Sequence, residues 1–243
     1  MIADSLIVVW KEWREWFSSE GNRRSGLWNV LIMAGISGVM FPLQSGRTWF
    51  TSWITVYSAC FPMILVMSLA ADAFAGERER HTLETLLASR LPDRAILLGK
   101  IIAAVGYGWG ITLAAIPVAF VVVNLTNRPG PWVFYPPDIF AAVVLLSLLA
   151  GTLIVSMGTL FSLTAATVRQ AGQRALIPFI ALFALPGFLP LLLPRLPEGW
   201  IRPLMGVTPG QVALTLGVLL LIANAILLSI AVIRFRRARL ILD

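Results

Sequence analysis

Residues 140–163 read F-A-A-V-V-L-L-S-L-L-A-G-T-L-I-V-S-M-G-T-L-F-S-L, without one charged side chain. A helix needs about 20 such residues to cross the hydrocarbon core of a bilayer, where only a helix satisfies its own backbone hydrogen bonds. Uncharged runs of this length recur along the 243 residues, at 25–46, 48–71, 101–127, 139–168, 175–194 and 203–233. The chain is therefore predicted to be an all-α membrane protein with six transmembrane helices.

The composition agrees with this prediction. Hydrophobic residues make up 58% of the chain and charged residues 13%, against roughly 45–50% and about 25% in a soluble domain. We therefore exclude a soluble domain. The six spans are expected to centre on residues 27–43, 53–70, 101–123, 140–163, 176–193 and 212–233.

The basic residues predict the orientation. An even number of spans places both termini on one side, and 15 of the 19 Lys and Arg residues fall on that side. The other four are Arg47, Arg128, Arg195 and Arg202. Loops that face the cytoplasm carry the excess of Lys and Arg, so both termini are predicted to be cytoplasmic. This bias also accounts for the net charge of +7, and no nucleic-acid partner is expected.

Residues 1–24 are predicted to form an amphipathic elbow helix at the membrane surface, followed by a transmembrane domain at 25–243. The apolar side chains at helical spacing are Leu6, Trp10, Trp13 and Phe17. The polar side chains opposite them are Lys11, Arg14, Glu15 and Ser18. A short helix packed on another protein is the alternative.

The fifth predicted span contains Pro178, Pro186 and Pro190. Proline removes a backbone hydrogen bond and clashes with the preceding turn, so this span is expected to be kinked or to end early. Residues 194–208 would then either re-enter the outer leaflet or form a plain loop.

The uncharged spans exclude several functions. None of the six runs contains Asp, Glu, Lys, Arg or His, so there is no buried ionisable group for ion-coupled transport and no general base for hydrolysis. The chain also has a single cysteine, Cys60, and no phosphate-binding loop. No catalytic, metal or cofactor-binding residues are expected, and the chain by itself is predicted not to be an enzyme. Any energy must come from a partner.

The most informative polar segment, at 72–100, reads D-A-F-A-G-E-R-E-R-H-T-L-E-T-L-L-A-S-R-L-P-D-R-A-I-L-L-G-K. Thr82 is predicted to cap a short helix. Its apolar stripe would consist of Leu83, Leu86 and Leu87. Pro92 and Asp93 suit the first turn of the helix that leads into the third span. A short helix held between two spans can act as a lever.

This segment resembles the permease subunits of ATP-binding-cassette (ABC) type-2 exporters. The matching residues are Glu77, Glu79, Thr82, Leu83, Glu84, Leu86, Leu87, Ser89, Arg94, Ile96, Leu97, Gly99 and Lys100. Two positions depart from the family pattern: His81 replaces a glycine, and Arg90 replaces a common proline.

The resemblance implies a cytoplasmic coupling helix at about residues 80–89, docked on a separate ABC ATPase subunit. It implies a second permease copy, identical or homologous, in the cell membrane of a prokaryote. ATP and Mg²⁺ would be bound by the ATPase. The residues expected to take part in coupling are Glu77, Glu79, Arg80, Thr82, Leu83, Glu84, Leu86 and Leu87. The leucines would be buried on the partner and the glutamates would orient it.

The resemblance also places the second and fifth spans around the substrate path. The aromatic residues nominated to line it are Trp53, Tyr57, Phe61, Phe179 and Phe183; helix packing or lipid contact is the alternative. Asp72 would form a gate, pair with an arginine, or be solvated. Uncharged spans favour a lipidic or hydrophobic substrate. The rival hypothesis is a membrane scaffold that binds a soluble partner through residues 72–100 without transport.

Overall fold

The computed structural model describes residues 2–18, 23–127, 130–192 and 209–235. Across these residues the chain is built from helices joined by turns and short links, without a β-strand. The predicted all-helical class is confirmed. The segment 194–208, predicted to re-enter the membrane or form a loop, lies outside the described residues.

The helices follow one another in chain order with short connections. They are α1 (Ile2–Ser18), α2 (Arg23–Gly35), α3 (Phe41–Ser45), α4 (Trp53–Ala59), α5 (Met63–Glu79), α6 (Leu83–Leu87), α7 (Asp93–Thr126), α8 (Pro137–Thr164), α9 (Val168–Leu192) and α10 (Pro209–Arg234). A π-helical turn (Ile36–Met40) joins α2 to α3, and a 3₁₀ helix (Gly46–Thr51) follows α3.

Five helical stretches in the described part of the chain are long and apolar enough to cross a membrane. They are Trp28–Thr51, Ile54–Glu79, Asp93–Thr126, Pro137–Thr164 and Gly210–Arg234. These correspond to the first four predicted spans and the sixth. The fifth prediction falls on α9, which continues past Pro178 to Leu192 rather than ending early. The described residues therefore contain five candidate spans, where six were predicted.

The α-helix of the second predicted span is interrupted. The α-helix stops at Ala59 and resumes at Met63, and the intervening turns are closed by i→i−3 bonds such as Met63 N–H to the Cys60 carbonyl at 3.0 Å. Pro62 explains the interruption, because it has no N–H and its ring crowds the preceding turn. The expected i, i+4, i+8 stripe from Trp53 to Phe61 therefore does not lie on a single regular helix.

Small residues bring α5 and α8 together at the centre of the bundle. A Cβ added to Gly158 would lie 2.7 Å from the Ala70 Cβ, so only glycine permits this approach. Four residues further on, the Ser162 hydroxyl donates to the Ala71 carbonyl at 2.7 Å and accepts from the Ala75 N–H at 2.9 Å. These small residues pack within one chain.

The end of the bundle formed by the α7–α8 connection is aromatic. Trp49 Nε1 donates to the Tyr135 hydroxyl at 2.9 Å, and both side chains are buried. Burial raises the pKa of Tyr135 to about 12 against the opposing effect of that hydrogen bond. Around this pair lie further rings, those of Phe50, Phe120, Trp132, Phe134 and Phe140. The predicted segment 72–100 lies at the opposite end.

Candidate functional site

The corner between α5 and α7 is built on a tight helix ending. The Thr82 N–H donates to the Glu77 carbonyl at 2.9 Å and the His81 N–H to the Arg78 carbonyl at 3.1 Å, the two bonds of a Schellman motif. That motif needs a residue with positive φ after the helix, and His81 has φ 56°. Glycine adopts this conformation without steric cost, which explains the glycine in the family pattern.

A buried charge cluster, consisting of Glu12, Glu77 and Lys100, lies behind this corner. Lys100 Nζ donates to Glu12 Oε1 at 2.7 Å and to Glu77 Oε1 at 3.2 Å. The three side chains are at most 8% exposed, and the ammonium also lies 5.6 Å from the centre of the Phe74 ring. Charges buried to this extent are stable only when paired. The cluster therefore ties α1, α5 and α7 together.

Two polar side chains complete the cluster. Lys11 Nζ lies 3.4 Å from Glu77 Oε1 and 3.1 Å from Glu15 Oε1; burial opposes its charge, but Glu12, Glu77 and Glu15 together raise its pKa. The Thr82 hydroxyl donates to Glu77 Oε2. The predicted capping role of Thr82 is wrong in this respect: it occupies the N-cap position of α6 but makes no side-chain cap bond. Its backbone is αR instead of extended as in a typical N-cap, and its hydroxyl is directed at Glu77.

The elbow segment is integrated into the bundle. Gly99 allows α1 to approach α7, because a Cβ there would lie 2.5 Å from the Val8 Cβ. Further along, Trp13 Nε1 donates to the Ala103 carbonyl at 3.0 Å and the Trp16 ring meets Tyr107 edge to face. A helix is present at Ile2–Ser18, within the predicted 1–24, and its place at a membrane surface stays a prediction. The helix leaves a row of apolar side chains exposed, those of Ile2, Leu6, Ile7 and Trp10.

The last residues of α5 point to other elements. Arg78 donates to the Ala165 carbonyl, and to the Leu163 carbonyl at 3.1 Å. Glu79 Oε1 accepts from the Val168 N–H, the first residue of α9, at 2.9 Å. Arg80 is paired with Asp72 at 3.0 Å, and this carboxylate together with Glu77 raises the pKa of Arg80 against the effect of burial. Asp72, nominated as a gate, therefore has an arginine partner.

Helix α6 occupies Leu83–Leu87, within the predicted 80–89. Leu83 is 7% exposed and belongs to the central core, the buried cluster that includes Met63, Phe74, Ile96 and Ile154. Leu86 packs on the same core. The sequence had suggested that a partner covers Leu83. The structure shows that the core of the chain itself already covers this side chain. Glu84 and Thr85 face outward. The Leu87 side chain lies outside the description.

Three of the residues nominated to line a path have described side chains. Tyr57 is exposed on α4, Phe61 is half-buried against Phe41, and Phe179 is buried in the central core. The side chains of Trp53 and Phe183 lie outside the description. Their role in lining a path remains a prediction.

Sequence reasoning missed three residues that organise this corner, Glu12, Arg78 and Lys100. Lys100 matched the family pattern, but no pattern in the sequence indicates that its partner is 88 residues away. The described residues contain no group of His, Cys, Asp and Glu placed to hold a metal ion.

The comparison with known families identifies the chain. No curated protein matches it as a relative. A family model described as ABC-2 family transporter protein matches residues 53–228, which is more than half of the chain and includes the α5–α6–α7 corner. Members of this family are non-catalytic membrane subunits that typically pair with ABC ATPase subunits. The chain therefore belongs to the ABC-2 transporter family.

Proposed function

We propose that the chain is the membrane-spanning permease subunit of an ATP-driven exporter. It works as a dimer of permeases with a separate ATPase, and the end of the bundle that holds α6 faces the cytoplasm. The distribution of described basic residues supports this orientation, because Arg47 at the opposite end contrasts with a basic group around α6. That group is Lys11, Arg14, Arg78, Arg80, Arg90, Arg94, Lys100, Arg169, Arg174 and Arg234.

The observation that carries the proposal is the construction of α6. It connects two membrane-spanning helices, its inner side chain Leu83 is anchored in the core, and the turn before it is bonded to the buried charge cluster through Thr82. Its outer face presents Glu84 and Thr85 to solvent. A helix that is rigidly joined to two spans and polar outside is suited to receive a push from a soluble subunit. Polar contacts at such an interface supply specificity and association rate.

The distribution of charge in the spans supports a lipidic or hydrophobic substrate. In the five candidate spans, every charged side chain lies within eight residues of one end of its span, and the middle of each span is uncharged. A charged solute crossing the remaining apolar length would find no fixed counter-charge. An apolar or amphipathic substrate would need none.

A charge reversal on α6 tests the proposal. The tagged chain is purified from membranes of its source cells, reconstituted in lipid nanodiscs, and assayed for a co-purified ABC ATPase by mass spectrometry and by Mg²⁺-dependent ATP hydrolysis. We expect Glu84→Arg to reduce the retained ATPase activity by about tenfold, since a reversed interfacial charge costs affinity.

Asp138→Arg is the matched control. Asp138 is also exposed and also lies in the first turn of a helix, but at the opposite end of the bundle. It should retain the ATPase at the level of the unmodified chain. Equal loss in both variants would remove α6 as the docking surface. If the unmodified chain retains no ABC ATPase, the scaffold hypothesis replaces the proposed function.

A further inference from the structure

Arg78 and Glu79, here called the α5 clasp, make contacts that the family resemblance does not assign. They are adjacent in sequence, yet one binds the end of α8 and the other binds the start of α9. Both contacts are formed across 85 to 89 residues of sequence. The link between α8 and α9 is therefore held by the end of α5, directly before α6.

The charges of the clasp match the helix ends that they contact. The carbonyls at the end of α8 carry the negative end of its dipole, and the Arg78 guanidinium donates to two of them, Leu163 and Ala165. The first N–H groups of α9 carry the positive end, and the Glu79 carboxylate accepts from Val168. Charge-assisted bonds of this kind are stronger than neutral ones.

Local capping leaves a place for Glu79. The Thr167 hydroxyl accepts from the Gln170 N–H at 3.2 Å, and the Gln170 side chain accepts from the Ala166 N–H at 2.9 Å. Neither side chain reaches the Val168 N–H, for which Glu79 is the acceptor. The first turn of α9 is thus completed by a residue of α5.

Close packing reinforces the clasp. Four alanines from α5, the link and α9 form a buried cluster of their own, with Val168 packed against it. They are Ala71, Ala75, Ala165 and Ala171, each at most 1% exposed. Side chains this short leave little free volume, and dense packing transmits displacement.

We infer that Arg78 and Glu79 are positioning residues that carry a displacement of α6 to α9. The inference rests on the proposed function, since it needs a partner that moves α6. On this inference the start of α9 moves when a partner displaces α6, together with α5 and α7. Glu79 then acts within the chain, where the family resemblance had placed it against the ATPase.

Hydrogen exchange tests the clasp without any partner. In nanodiscs, Glu79→Ala should raise the exchange rate of the Val168 amide by about fivefold, because the amide loses its acceptor. In Glu79→Gln the exchange rate of this amide should stay within about twofold of that in the unmodified chain, because the side-chain amide oxygen still accepts the Val168 hydrogen bond. No increase in Glu79→Ala, or an equal increase in both variants, would overturn the clasp.

Spin labels test the transmission in the complex with its ATPase. Ala88→Cys on the α6 corner and Gln173→Cys on α9 are exposed positions, and the native Cys60 is buried. On addition of ATP and Mg²⁺ the distance between the labels should stay constant in the otherwise unmodified chain, because both elements move together. It should change when Glu79→Ala is added and recover with Glu79→Gln. The same response in all three chains would overturn the transmission. If no ATPase is retained the proposed function fails, while the exchange measurement still decides the clasp.

Discussion

The two ends of the bundle are stabilised in different ways. At the α6 end, charged side chains from α1, α5 and α7 meet in the buried charge cluster, and the α5 clasp adds contacts to α8 and α9. At the α7–α8 end, aromatic rings pack around the neutral hydrogen bond from Trp49 to Tyr135. Aromatic packing gains mainly from the large buried area of the rings, with a smaller contribution from their relative orientation. Ion pairs in an apolar setting are either fully made or costly.

This difference indicates which end is built to change. An end that is held by discrete charged contacts has a few well-defined arrangements. An end that is held by ring packing has a single broad minimum of free energy. The α6 end is also the one where the backbone is strained, at His81. We therefore expect substitutions at the two ends to differ in size and in kind.

The largest effect is expected for Lys100→Met. Removal of the ammonium leaves the Glu12 and Glu77 carboxylates buried together, and breaking such a buried pair costs about 3–5 kcal/mol. Thermal unfolding in detergent, followed by size-exclusion chromatography, measures the loss. Adding Glu12→Gln should recover part of it.

Lys11→Met is the control for this substitution. Its side chain is 42% exposed, and exposed ion pairs contribute about 0–1 kcal/mol. A similar loss in the Lys11 and Lys100 variants would contradict the distinction between buried and exposed members of the cluster.

A smaller effect is expected at the aromatic end. Tyr135→Phe removes the acceptor of the buried Trp49 N–H, and leaving such a donor unsatisfied costs about 1–3 kcal/mol. The same unfolding assay measures it, with the 57%-exposed Phe134 changed to Leu as the near-neutral comparison. If Tyr135→Phe destabilised the protein as much as Lys100→Met, the two ends would not differ as proposed.

The smallest effects are expected from two substitutions that change the backbone strain, one at each end of the bundle. His81→Gly should stabilise the chain by about 0.5–1 kcal/mol, because glycine removes the steric cost of a positive φ. The gain is partly offset, since glycine loses more conformational entropy on folding than other residues. The matched change at the other end is Gly46→Ala, where φ is 55°. It should destabilise by at least about 1 kcal/mol, because ψ −139° places Gly46 in a region that is open almost only to glycine. Urea-dependent unfolding of both variants checks the opposite signs, and equal signs would show that φ does not govern either position.

Much of the architecture was predictable because it depends on local composition. Uncharged runs marked five stretches that the structure finds long and apolar enough to span a membrane, and the expected helix start at Pro92 and Asp93 is where α7 begins. The predicted second span is found, but its α-helix is interrupted next to Pro62, which has no N–H to donate. The predicted cap by the Thr82 side chain was wrong, because its hydroxyl is directed at the Glu77 carboxylate and makes no cap bond.

Span length and hydropathy are properties of contiguous residues, so local composition was enough to predict a helical membrane protein with a charge-dense connection between its second and third spans. What those charges do depends on the tertiary structure. Lys100 and Glu12, or Glu79 and Val168, are separated by 88 and 89 residues, and their pairing depends on how the helices are arranged. The Glu79 carboxylate, which the sequence assigns to an interface with a partner, is in the folded chain already bonded to the first residue of α9.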